Sequence, residues 1–313
     1  MIPYLIIVLI SGLLTPIQTA VNSRLRASVG YVYLSTLVSF TVSTLALVAV
    51  GLIIGTPILP SSRQIGEASW WMWGGGIIAL GTISVNILLF KAIGQLQAMV
   101  LPIFGQLVFS LVIDHFGLFG SRAIPISGFR FLGMCVVIAG VFLITVLPNF
   151  GKWRNGNDGA PAQVLWQLLG IADGILMASI SAVYARLGLV LGSALQATTV
   201  SFIIATAVML LICVPTGKIS CIGKAFRRDC PWWMWTGGIL GATSVFINSF
   251  SIPVIGVGLF SITLLLGQMS QSLGMEHYGW FGAPRKRVRA IQLLGIVLML
   301  GGVILTRWQA LTN

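Results

Sequence analysis

Polar side chains are few in this chain, and those that could do chemistry recur in a pattern. Gln106, Ser110 and Asp114 are spaced i, i+4 and i+8, and Gln268, Ser272 and Glu276 repeat the spacing. On a helix each trio lies along one face. Asn86 and Asn248 occupy matching places upstream, and Gln18 and Asn22 are a further i, i+4 pair. Amides and hydroxyls both donate and accept hydrogen bonds, so such stripes could line a solute pathway; they could equally join neighbouring helices, at about 0.6 kcal/mol each. Asp173 is the one acid near the middle of an apolar run. It is either a group that takes up and releases a proton or an un-ionised donor to a neighbouring carbonyl. Asp114 with His115, and Glu276 with His277, fall where apolar runs end. Acids at a helix C-terminus oppose the helix dipole and need cationic company, which Arg122 or Arg130 could give one pair and Arg285 to Arg289 the other. The two pairs read as gates at opposite faces, or as fixed ion pairs that seat a loop.

Other chemistries lack their residues. Cys135, Cys213, Cys221 and Cys230 form no CxxC, and two histidines complete no zinc site. HExxH, GxSxG and GxxxxGK[ST] do not occur. No cofactor or metal is therefore expected, nor is hydrolysis of ATP by this chain.

These side chains must be held by apolar elements. Of 313 residues, 57% are hydrophobic and 8% charged, and the mean hydropathy is +1.00, which excludes a soluble globule. Only helices or a closed barrel satisfy the backbone in lipid, and the runs lack strand alternation. Spans are predicted at about 3–21, 32–54, 71–90, 97–113, 128–147, 165–185, 194–214, 232–251, 256–275 and 290–308. The fold class is an all-α polytopic membrane protein of about ten helices. Met1 to Gln18 has no basic leader and reads as the first span, not a signal peptide.

The polar stretch around Asn149 to Pro161 divides the chain into 1–148, a linker 149–163, and 164–313. With the second half shifted by 162 positions onto the first, 18 of 51 residues from Trp70 to Gly120 are identical. This is a duplication. Five spans per copy bring the second copy into the membrane from the opposite side, so inverted repeats are expected. Odd-numbered loops hold 13 of the 18 Lys and Arg. The positive-inside rule then puts both termini outside the cytoplasm and keeps Cys221 and Cys230 reduced inside it. The basic residues sit in short gaps between spans, where they contact lipid headgroups rather than nucleic acid. Lys91 is expected to snorkel to headgroups, and the Trp70 to Trp73 and Trp232 to Trp235 runs to form interfacial belts. Gly74 to Gly76 with Gly237 and Gly238 should permit close helix approach, and Pro16 and Pro102 should kink their helices.

Pro16, Gln18, Asn22, Arg24 and Leu25, with the twice-used Gly-Gln-x3-Ser-x3-[Asp or Glu]-His-[Phe or Tyr]-Gly-x-Phe-Gly, resemble the YdcZ-like branch of the drug/metabolite transporter superfamily. The chain looks like a fused pair of five-helix units, with EamA-like proteins as wider relatives. The resemblance implies a secondary transporter of the bacterial inner membrane that moves a small metabolite by alternating access, with export as the direction and protons as the coupling ion. It also implies a central cavity on the helices that bear the polar stripes. The second copy carries Ile180 and Tyr184 where Gln18 and Asn22 stand, so a symmetric site is not expected. A passive channel, a membrane-embedded enzyme and a scaffold are the alternatives. Expected partners are a small neutral, zwitterionic or amphipathic solute, membrane lipids and protons; the chain would act as a monomer or homodimer.

Overall fold

The computed structural model describes residues 2–92, 94–147, 161–226, 231–280 and 288–312. Among them are ten long helices: α1 Ile2–Val29, α2 Val32–Ile54, α3 Gly75–Ala92, α4 Gly94–Phe116, α5 Gly128–Thr145, α6 Pro161–Val190, α7 Ala194–Cys213, α8 Gly237–Ile255, α9 Val257–Tyr278 and α10 Ala290–Thr312. No strand occurs among the described residues. Five stretches are long and apolar enough to cross a membrane: Ile2–Val29, Val32–Ile54, Val164–Val190, Ala194–Thr216 and Trp232–Ile255. Val100–Phe116, Gly128–Ile144 and Ala290–Thr306 are shorter apolar stretches.

Three boundaries differ from hydropathy. α1 runs on through Arg24 and Arg26 to Val29, because Leu25 and Val29 are buried against a cluster with Leu34, Met209 and Met234. α6 begins at Pro161, inside the expected linker, whose residues up to 160 lie outside the described set. Proline at a helix start forgoes only an N–H that has no intrahelical partner. Finally, the tryptophan runs lie outside the α-helices, although Trp232 still opens a stretch apolar enough to cross a membrane. Trp70–Gly74 and Trp232–Trp235 are 3-10 turns that precede α3 and α8. In each, the methionine (Met72, Met234) is buried while Trp70 and Trp232 stay exposed, as amphipathic rings at an interface do.

The two halves interlock rather than sit side by side. α1 of the first packs on α9 of the second, α6 on α4, α2 on α7, and α5 on α10. Glycines set these seams. A Cβ on Gly133 would stand 2.7 Å from the Gly302 carbonyl oxygen, and one on Gly140 would stand 2.6 Å from that of Gly295. Shifting by 162 turns each pair into the other, so the α5–α10 contact is its own counterpart. Gly12 meets the Leu264 carbonyl and Gly267 on α9, while Gly174 meets the Pro102 carbonyl on α4 and Gly105 meets that of Ile171 on α6. These are again one contact made twice. Without a hydrophobic force between helices in lipid, such close backbone approach is what packing rests on.

Candidate functional site

The α1–α9 and α4–α6 seams fix the two glutamines of the stripes. A Cβ on Gly174 would stand 2.6 Å from the Gln106 backbone nitrogen, and one on Gly12 would stand 3.2 Å from that of Gln268. Each glutamine is thus braced by the first helix of the other half, and α4 and α9 pack on one another. Gln106 is buried and Gln268 half-buried. Neither side chain has a hydrogen-bond partner among the described residues, and the same holds for half-buried Ser272. Ser110 differs: its hydroxyl donates to the Leu107 carbonyl at 2.7 Å in a fully buried position. The repeated stripe therefore divides into two amides and one hydroxyl with capacity to spare and one hydroxyl spent on its own helix.

The α1 pair faces α8. Gly241 lies beneath Gln18, where a Cβ would stand 2.5 Å from Nε2, and Gly237 lies beneath the Asn22 amide. Asn22 Oδ1 accepts from Ser39 Oγ on α2 at 2.8 Å, and Ser43 Oγ donates to the Gly238 carbonyl at 2.6 Å. Asn22 thus ties three helices together, whereas Gln18, half-buried, has no partner among the described residues. At the counterpart seam Tyr184 is buried on Gly75 and Ile180 replaces the glutamine, so polarity is confined to one side. Asn248 Nδ2 donates to Ser181 Oγ on α6 at 3.1 Å, while its buried Oδ1 has no partner. The Asn86 side chain lies outside the described residues.

Asp173 is buried on α6, next in the chain to Gly174, whose backbone meets Pro102 and Gln106 of α4. Its counterpart Ser11 is fully buried on α1, and the Ser11 hydroxyl has no partner.

Asp114 is neither exposed nor a surface pair. It is fully buried in the last turn of α4, and Arg130 Nη2 donates to Oδ2 at 2.7 Å. Val257 N donates to Oδ1 at 2.8 Å and Gly258 N to Oδ2 at 3.0 Å, so the carboxylate also closes the first turn of α9. An acid at the end of one helix is here an acid at the start of another, which reverses the dipole argument in its favour. Arg122, the other cation considered, is not the partner. His115 Nδ1 accepts from Ile126 N at 3.2 Å, and His277 Nδ1 accepts from Val288 N at 3.3 Å. Both histidines hold the start of the segment that leads into the next helix, in register at 162 positions. The Glu276 side chain lies outside the described residues.

Sequence reasoning missed Ser39, Ser181 and the amides of Val257 and Gly258. Only Gly256 and Gly258 left a signal, as a Gly-x-Gly just before an apolar run. A depression of about 380 Å³ lies elsewhere, at the end of α1, lined by Ser23, Arg26, Ala27 and Gly30. Among the described residues no three His, Cys, Asp or Glu gather in a way that could hold a metal.

The sequence profile of a family described as "Putative inner membrane exporter, YdcZ" matches the chain twice, over residues 3–143 and 165–305. No curated protein matches. Twenty-one chains of solved structures do. One, titled "Crystal structure of protein", is 17% identical with a TM-score of 0.67, over 98% of this chain and 99% of that one. That likeness is one of fold.

Proposed function

The chain belongs to the YdcZ family of drug/metabolite transporters, membrane proteins of many apolar helices, and from this we propose that it is a secondary transporter that exports a small metabolite by alternating access. All ten helices cross the inner membrane in this reading, as two inverted five-helix repeats with both termini outside the cytoplasm. The observation that carries it is the pair Gln106 and Gln268. Gln106 sits at the α4–α6 seam and Gln268 at the α1–α9 seam, each a place where one repeat meets the other, and both amides retain hydrogen-bonding capacity. An amide in hydrocarbon without a partner is costly, whereas one that meets a hydrated solute is not. Gln18 and Ser272 extend the same lining. Lack of fixed charge among these four favours a neutral or zwitterionic solute. Asp173, buried on α6 next to Gly174, is the candidate for coupling to the proton gradient.

Purified protein in liposomes, offered a panel of metabolites under an imposed pH gradient, tests the proposal. Saturable, concentrative flux is expected, and Asp173→Asn should leave downhill exchange while abolishing concentration. Flux that neither saturates nor concentrates would make the protein a channel. No flux of any solute in protein shown to be folded would end the transporter reading.

A further inference from the structure

A carboxylate withdrawn from water needs its lone pairs met by donors, and Asp114 has them from both halves of the molecule. Val257 N and Gly258 N belong to α9 of the second half, and Arg130 belongs to α5 of the first. Gly256 has φ +83° and ψ 161°, a conformation open to glycine, and that turn aims the α9 amides at the acid. A Cβ on Gly256 or Gly258 would stand 2.9 or 3.0 Å from Asp114 Oδ2. Arg130 is fixed in turn: its Nη1 donates to the Ile124 carbonyl at 2.8 Å, and its backbone amide is capped by Ser127 Oγ at 3.3 Å. The connections α4–α5 and α8–α9 lie together here, so parting the halves at this face means pulling a carboxylate off a helix N-terminus and an arginine at once.

At the opposite face the register changes three of these four residues. The register that relates Asp114 to Glu276 relates Gly256 to Gly94, Gly258 to Leu96, and Arg130 to Gln292. Gln292 is engaged locally: its Oε1 accepts from Arg289 N at 2.9 Å, and its Nε2 donates to the Ile144 carbonyl at 3.4 Å. A neutral amide supplies neither the charge nor the fork of a guanidinium.

We propose that Asp114, Arg130 and the first turn of α9 form a latch that holds the α4–α5/α8–α9 face closed. This rests on the alternating-access reading and adds a built-in resting state to it. Replacing Arg130 by glutamine should weaken the closed face.

The test needs no substrate. In a background with the four cysteines replaced, spin labels at Arg122→Cys and Val254→Cys, both exposed beside the latched face, report its width in lipid nanodiscs by pulsed distance measurement. The unaltered latch should give one short distance. Arg130→Gln should raise a longer-distance population at least several-fold, Gly258→Ala should do so with both charges kept, and Gln292→Arg should raise none. Glutamine is already accommodated at this register in the second half; if Arg130→Gln nevertheless fails to fold, Gly258→Ala decides alone. An unchanged distribution in the folded variants would overturn the latch even if solute is transported. A shifted distribution in a chain that transports nothing would keep the latch and count against the transporter.

Discussion

Thr44 and Thr206, 162 positions apart, share a hydrogen bond of 2.9 Å between their Oγ1 atoms. Since 162 is the register of the duplication, each is the other's counterpart, and the axis that exchanges the halves passes between them. Replacing either threonine by valine should cost about 1 kcal/mol, and replacing both should cost no more than replacing one, because the bond is lost once and the second change removes the stranded hydroxyl. Thermal unfolding in detergent of Thr44→Val, Thr206→Val and the double variant checks this. Additive losses would mean that the hydroxyls act separately.

The glycine seam predicts a contrast within one helix. Gly302 packs on the Gly133 carbonyl, where a Cβ would stand 2.7 Å away, but Gly301 beside it has open space. Gly302→Ala should therefore destabilise by roughly 1–3 kcal/mol, whereas Gly301→Ala should be neutral or slightly stabilising. Unfolding of both variants in the same detergent is the measurement. Equal effects would argue against the seam.

His115 and His277 work through Nδ1, an atom whose place the side-chain oxygen of asparagine can take. His115→Asn should keep the hydrogen bond from Ile126 N, and His115→Gln, whose oxygen reaches the place of Nε2, should lose it along with His115→Ala. Amide exchange at Ile126 reads the bond directly. Protection in the alanine variant equal to that in the asparagine variant would deny the histidine this role.

Asn22 and Gln106 should separate in function. Asn22→Ala leaves the Ser39 hydroxyl without its acceptor and should lower stability by about 1 kcal/mol. Gln106→Ala breaks no bond among the described residues, so stability should hold while the KM for solute rises, by about tenfold for one hydrogen bond. A folded Gln106→Ala with unaltered KM would remove that residue from the pathway.

The helices and their duplication were legible because both are carried by side-chain type: apolar length marks the spans, and Gly105, Gln106, Ser110 and His115 recur at 162. That the tryptophan runs are 3-10 was not legible, since hydropathy cannot tell an α-helical turn from a 3-10 turn of the same residues. At the site, the spacing of Asn22 and Asn248 does not show that each reaches a serine on a neighbouring helix. Which serine an amide meets depends on how helices cross, and no spacing within one helix encodes that. The Asp114 partner Arg130 was foreseeable from charge, but the Val257 and Gly258 amides were not, because every residue except proline carries that donor.

Tyr184 fills on Gly75 the place that Asn22 takes on Gly237. A molecule assembled from two identical subunits would make any such change in both places together. Joining the copies in one polypeptide lifts that constraint, so one flank can be plugged with a ring while its twin keeps an amide, and selectivity can drift on one side without reshaping the other.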